Sequence, residues 1–355
     1  MDKVIFWILA LFAAAGALDR IFGNRLGLGV EFENGVLTMG SLMLAMAGIV
    51  TVAPILAAGL KPIIVPVFRF LGADPAMFAG SILACDMGGG ALARELTTDP
   101  QAAALGGVIT GSMLGATVVF TIPVSLGILR EEDRPSMAKG ILCGIITIPV
   151  GILVGGLTAG FPLLMVIRNL IPIVILAGLI ALGLKFREKA MIRGFTLFGQ
   201  FLTVLSTMGL AAGIFWNLTG FQILPGMAPI QRGIETVGAI AVVLAGAFPF
   251  VAVLQRLLKK PLEAGGRLLG INETAAAGLI ATLANSIATF SLVKNMNPRG
   301  KVLNIAFSVS AAFLLGDHLG FAAGFQKEML VPMLLGKLAG GLSALVLALV
   351  ITKKD

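Results

Sequence analysis

Runs of 18 or more largely apolar residues recur from one end of this chain to the other, each long enough to cross a hydrocarbon layer about 30 Å thick. No stretch between them exceeds about twenty residues, which leaves no room for a separate soluble domain. Lipid offers the backbone no hydrogen-bond partners, so such runs fold as helices. Composition agrees: the 355 residues are 57% hydrophobic and 12% charged, with a mean hydropathy of +1.00, where soluble domains carry roughly 25% charged residues. The expected fold is an all-α polytopic membrane protein, residues 1–355 forming one integral transporter domain.

About eleven spans are expected, at roughly 3–22, 35–60, 75–96, 101–129, 136–160, 161–184, 191–216, 233–258, 273–295, 300–325 and 329–351. Two shorter pieces, Lys61–Gly72 and Lys260–Gly270, read as interfacial or connecting helices. The first apolar segment, with its small residues, has the outline of a signal peptide. The repeat described next makes it part of the fold.

Sliding the chain by 198 residues aligns its halves without a gap. Thr38 falls on Thr236, Arg69 on Arg267, Pro100 on Pro298, Ser112 on Ser310 and Lys139 on Lys337. Two tandem repeats, approximately 1–160 and 199–355, joined by 161–198, are therefore expected; internal duplication is common in secondary transporters, with the substrate near the repeat interface. If every segment crosses, the repeats are parallel; if the third and ninth are re-entrant, they are inverted.

The net charge of +8 sits in short connections such as Lys185–Arg193 and Gln255–Pro261. It bears on orientation through the positive-inside bias, not on nucleic acid. Cys85 and Cys143 both lie in apolar runs, which disfavours a disulfide, and no metal-ligand spacing is present. No metal or cofactor is expected.

Ionisable groups within membrane spans are costly and mark functional sites by default. Asp86 precedes Gly88, Gly89 and Gly90; three glycines weaken a helix by roughly 1 kcal/mol each, so a broken or re-entrant helix is expected there. The repeat places Asn285 and Ser286 at the matching break in the ninth segment. Asp317 stands beside His318, the only histidine. Helical spacing would put Phe313, Asp317, Phe321 and Phe325 on one face, a carboxylate among rings that suits a small organic cation. Gly316, Gly320 and Gly324 form an adjacent strip that lets helices approach closely. Asn304, Ser308 and Ser310 are weaker path-lining candidates. One histidine and no His/Cys cluster argue against an enzyme.

The stretches Met77–Leu96, Val50–Phe68, Gly278–Phe290 and Asn304–Phe325, with their ACDMGG and GDHLGFAA motifs, resemble the ethanolamine utilisation permease family, EutH. The likeness covers nearly the whole chain, although the connections around Ala159–Pro162 and Leu224–Gly233 are shorter. It implies a multi-pass protein of the bacterial inner membrane that admits ethanolamine, with the lipid bilayer and that small molecule as partners. Homo-oligomerisation stays open. The substrate is a small primary ammonium with one hydroxyl. On the residue reading, Asp86 or Asp317 pairs with the ammonium, Phe321 or another ring covers the methylenes, and Asn285, Ser286 or His318 bonds the hydroxyl. Passive facilitation is the first expectation; transport of another small amine, or proton coupling through Asp317 and His318, is the alternative.

Overall fold

The computed structural model describes the backbone of residues 2–352, and all of their side chains except those at 2, 188, 192, 259, 260, 262–265 and 267. Among the described residues there is no strand, as expected where each backbone group must find its partner within its own segment. Eight helices among the described residues are long and apolar enough to cross a membrane. Three of the eleven expected spans, those at 75–96, 273–295 and 300–325, are instead interrupted.

Helix α1 (Asp2–Ile21) leads into α2 (Leu28–Leu42), which continues through a π-helical turn, Met43–Ala47, into α3 (Gly48–Phe70). The piece from Lys61 extends α3 rather than forming its own element, despite Pro62 and Pro66. The short helices α4 (Ala76–Ile82) and α5 (Gly89–Leu96) follow. Helix α6 (Pro100–Ala104) runs through the π-helical stretches Leu105–Gly115 and Thr117–Thr121 into α7 (Ile122–Ile128), and α8 (Arg134–Thr158) follows. Helix α9 (Leu163–Thr219) bends at Arg187, whose φ and ψ of −139° and 43° are not helical. After α10 (Ile230–Leu269) come α11 (Glu273–Ala284), α12 (Ser286–Leu292), α13 (Pro298–Ala311), α14 (Asp317–Phe325) and α15 (Leu330–Ile351). The piece from 260 to 270 is the end of α10.

Close approaches at glycine fix the course of the first interruption. Along Leu105–Gly115, Gly106 lies on Ala76 at the start of α4, and Gly111 lies on Cys85 beyond its end. Helix α4 therefore runs parallel to that stretch. Gly107 lies on Gly90 and Ala93, so α5 runs back the other way. Helices α4 and α5 form a hairpin with its tip at 83–88.

Helices α11 and α12 form a second hairpin. The Thr282 and Thr289 hydroxyls bond at 2.8 Å, and the Thr289 hydroxyl donates to the Gly278 carbonyl at 3.0 Å. At the open end, Asn272 Nδ2 donates to the Asn295 carbonyl at 2.8 Å. The tip is at Asn285, where φ and ψ are −158° and 128°.

The third interruption separates α13 from α14 at 312–316. There the Phe313 and Leu315 amides donate to the Thr282 and Leu283 carbonyls at 3.2 and 2.8 Å, and Phe313 has a φ of 60°. Phe313 thus shares no helical face with Asp317, because the backbone between them leaves the helix to pair with the end of α11.

Packing divides the helices into two groups. Helices α1, α2, α3, α10 and the second half of α9 pack on one another; Ser206 of α9 donates to the Leu44 carbonyl at 2.7 Å. The two hairpins, the α6–α7 segment, α8, α13 and α15 form the other group. In it, α8 and α15 meet at Gly151 and Gly336, where a Cβ on either would lie 2.7 Å from the other's carbonyl oxygen. Helix α14 packs chiefly on α10, through Gly320 and Gly324, and also touches α15 and the first hairpin tip, so it bridges the two groups. Polar side chains collect between the two groups.

Candidate functional site

At the first hairpin tip the chain leaves the helix at Leu83 (φ −123°, ψ 138°), makes one turn over Cys85–Met87, and re-enters a helix at Gly88 (φ 93°). A Cβ at Gly88 would press into Ile49 of α3. Position 88 therefore needs glycine both for its left-handed backbone and for the space. The break opens before Asp86, and Gly89 and Gly90 lie on the returning helix, Gly90 against the Phe321 ring. Asp86 is buried; the Cys85 thiol points at its Oδ1 from 4.0 Å.

Asp317 and His318 open α14, where the helix dipole favours an acid. His318 Nε2 lies 3.6 Å from Asp86 Oδ1. On its other side, Nδ1 lies 2.9 Å from Lys337 Nζ, and Lys337 donates to the Ser112 carbonyl at 2.6 Å. That carbonyl belongs to a π-helical stretch, and such local rewinding often occurs at functional sites. Lys337 has no exposed surface. A buried ammonium is tolerated only when hydrogen-bonded and paired; here it meets a carbonyl and an imidazole, with Asp86 on the far side of the ring.

These groups reach a cavity of about 290 Å³, with Ser41, Ala84, Asp86, Asn285, Asp317 and His318 among its lining residues. Phe120 and Phe313 supply its rings, edge to face at 5.1 Å. Asn285 and Asp317 also line a neighbouring 240 Å³ cavity that reaches Glu31 and Gln255. Asp317 is half-buried, and among the described residues no hydrogen bond or ion pair reaches its carboxylate.

The structure therefore brings four of the expected site residues, Asp86, Asn285, Asp317 and His318, to one cavity. Ser286 is fully buried beside the second tip with its hydroxyl unpartnered, off the cavity wall. Phe321 stacks on Phe325, with centroids 4.7 Å apart, and packs on Gly90 rather than lining the cavity. Asn285 uses its Oδ1 to accept from the Ile287 amide at 2.7 Å, capping α12. The residue that sequence reasoning passed over is Lys337, noted only as the repeat partner of Lys139. Its signal was a lone lysine within the otherwise apolar 22-residue run of α15. As for metal, Cys85, Asp86 and His318 offer ligand atoms within 4.8 Å of one another. An ion there would share the imidazole with the Lys337 ammonium, a like charge.

Apolar helices of spanning length, two hairpins whose tips line one cavity, and buried charges around it are the features of a multi-pass bacterial membrane permease. The chain belongs to the family described as "Ethanolamine utilisation protein, EutH", whose model matches residues 1–351. It is 55% identical to the probable ethanolamine permease EutH of Listeria monocytogenes, over 97% of this chain and 92% of that one. The probable ethanolamine permease EutH of Salmonella typhimurium is 46% identical over 100% of this chain and 96% of its own. An uncharacterised protein of Bacillus subtilis, YxeR, is 50% identical over 97% and 92%. No solved structure matches the chain.

Proposed function

We propose that this protein is an ethanolamine permease that takes the protonated amine into the cavity between the hairpin tips. The relatives' names point to the substrate; the observation that carries the reading is the Asp317 carboxylate, which no described group pairs although it stands beside Asp86 in one cavity. With His318 neutral, both acids ionised and Lys337 an ammonium, the site carries one negative charge in excess. A monovalent cation balances it, where an uncompensated charge among membrane helices costs roughly 2.5–3.5 kcal/mol. Asp317 takes the ammonium, the Phe120 and Phe313 rings face the methylenes, and Asp86 with His318 meets the hydroxyl end. Glu31, lining the adjoining cavity, draws the cation toward Asp317. His318 engages Lys337 and Asp86 rather than Asp317, which favours facilitation over proton coupling through the Asp317–His318 pair.

The test is uptake of labelled ethanolamine into proteoliposomes. Asp317→Asn abolishes saturable uptake in protein that still purifies as a folded species, whereas Asp86→Asn raises KM. Undiminished saturable uptake by Asp317→Asn overturns the reading, and competition by unrelated small amines at equal strength would assign another substrate.

The same reading includes an inverted duplication. Offset by 198 residues, α2 with α3 corresponds to α10, the first hairpin to the second, and α8 to α15. Five of the eight long apolar helices precede Lys189–Thr219, the counterpart of α1. An odd number of crossings sets the halves in opposite orientation, as in many transporters. Cysteines introduced at Thr98 and Asn295, at the two hairpin mouths, are then labelled by an impermeant maleimide from opposite sides of the membrane. Labelling from one side shows parallel repeats.

A further inference from the structure

Lys337 lies behind His318, away from the cavity wall, and its ammonium can only donate. Of the two ways to share a proton across the 2.9 Å contact with Nδ1, one puts the ammonium as donor, leaving Nδ1 bare and Nε2 protonated. The Nε2–H then faces Asp86 Oδ1 across 3.6 Å, donor toward acceptor. The other puts the proton on Nδ1 and leaves Lys337 an uncharged amine, and then the Nε2 lone pair faces a carboxylate oxygen, acceptor toward acceptor. Of the two tautomers of a neutral imidazole, only the first is complementary at both ends of the ring. The charged groups around the imidazole are Lys337 on α15, Asp86 on the first hairpin tip, with the Cys85 thiol beside it, and Asp317 at the start of α14.

We propose that Lys337 is a positioning residue that locks His318 in the Nε2–H tautomer, so that the cavity offers a fixed hydrogen-bond donor next to a fixed acceptor. The 3.6 Å separation is too long for a good direct bond between Nε2 and Oδ1, so this pair remains available to a group that both accepts and donates. A hydroxyl does both: its oxygen accepts from Nε2–H while its hydrogen goes to Asp86. A second ammonium cannot accept, and a methyl group can do neither. The device thus selects for a hydroxyl on the amine that enters the cavity. This consequence rests on the amine-permease reading; the tautomer itself does not.

Because His318 is the only histidine, protein labelled with ¹⁵N-histidine gives one imidazole spin system. In wild-type protein in nanodiscs at neutral pH the expected spectrum has Nδ1 unprotonated and Nε2 protonated, and Lys337→Met gives a mixture of tautomers. An Nδ1–H tautomer or an imidazolium in the wild type overturns the proposal, and that result does not depend on the variant's folding. In uptake competition, propylamine, which replaces the hydroxyl with a methyl, is expected to compete at least ~10-fold less well than ethanolamine, a gap that shrinks in Lys337→Met. Equal competition in the wild type overturns the hydroxyl selection. If the tautomer is as expected but no ethanolamine is carried, the functional reading fails and the positioning role stands. If carriage is saturable but the tautomer is reversed, the positioning role fails alone.

Discussion

Gly88 shows how much one position can carry. Its φ of 93° belongs to a region that side chains with a Cβ adopt at a cost, and Ile49 fills the space such an atom would need. Gly88→Ala is expected to destabilise the protein by roughly 1–3 kcal/mol and to displace the Asp86 turn, read as a lower unfolding temperature in detergent together with a raised KM for uptake. Lys337 and Asp86 carry their weight differently. Each is a buried group that faces His318 from another element, Lys337 at Nδ1 and Asp86 at Nε2, so removing either leaves one end of the ring without its neighbour. The polar residues in apolar runs were legible one by one, and Asp86, Asn285, Asp317 and His318 all reach the cavity. Ser286 and Phe321 were assigned by neighbourhood in the chain, and a half-turn of backbone at each break sent them elsewhere. Lys337 was visible as a lone lysine, yet nothing local says that it meets His318.

At the scale of elements, the hairpins depend on a few polar ties among apolar contacts. Thr289 reaches both the Thr282 hydroxyl and the Gly278 carbonyl, joining α11 to α12 where no water competes. Thr289→Val leaves Thr282 without its partner and is expected to cost about 1–3 kcal/mol, seen as faster hydrogen exchange over 285–295. The double variant Thr282→Val/Thr289→Val recovers part of that loss, since replacing both partners removes the orphaned group. Breaks at Asp86 and Asn285 were legible from glycines and from the repeat. The break at 312–316 was not: its residues, Ala312 to Gly316, read as ordinary membrane helix, and pairing of the Phe313 and Leu315 amides with the end of α11 satisfies the non-helical backbone there.

Across the whole molecule the cavity lies where two packed groups of helices meet. Two helical runs frame it: Leu28–Phe70, with 43 residues, and α10, with 40. At 1.5 Å per residue each is about 60 Å long or more, twice the hydrocarbon thickness. On the permease reading the cavity opens to each side in turn, and the seam where α14 meets α10 is one place for the groups to part. Gly324 of α14 lies on Ala239 of α10, a Cβ at Gly324 falling 3.1 Å from that of Ala239. Paired cysteines at 239 and 324 are therefore expected to form a disulfide on oxidation that arrests uptake, with reduction restoring it. Uptake that persists after complete cross-linking would show that the groups do not part at this seam.

Hydropathy, length and the cost of bare backbone in lipid were enough by themselves to determine an all-helical membrane protein, the sites of two breaks and the acids that interrupt apolar runs, because those constraints act along the chain. The conjunction of Asp86, His318 and Lys337, the rings of Phe120 and Phe313 at the cavity, and the unpaired state of Asp317 were decided only in three dimensions. Partners more than 200 residues apart, such as Ser112 and Lys337, come together through glycine-lined helix contacts, and no local pattern encodes which distant group a buried charge will meet.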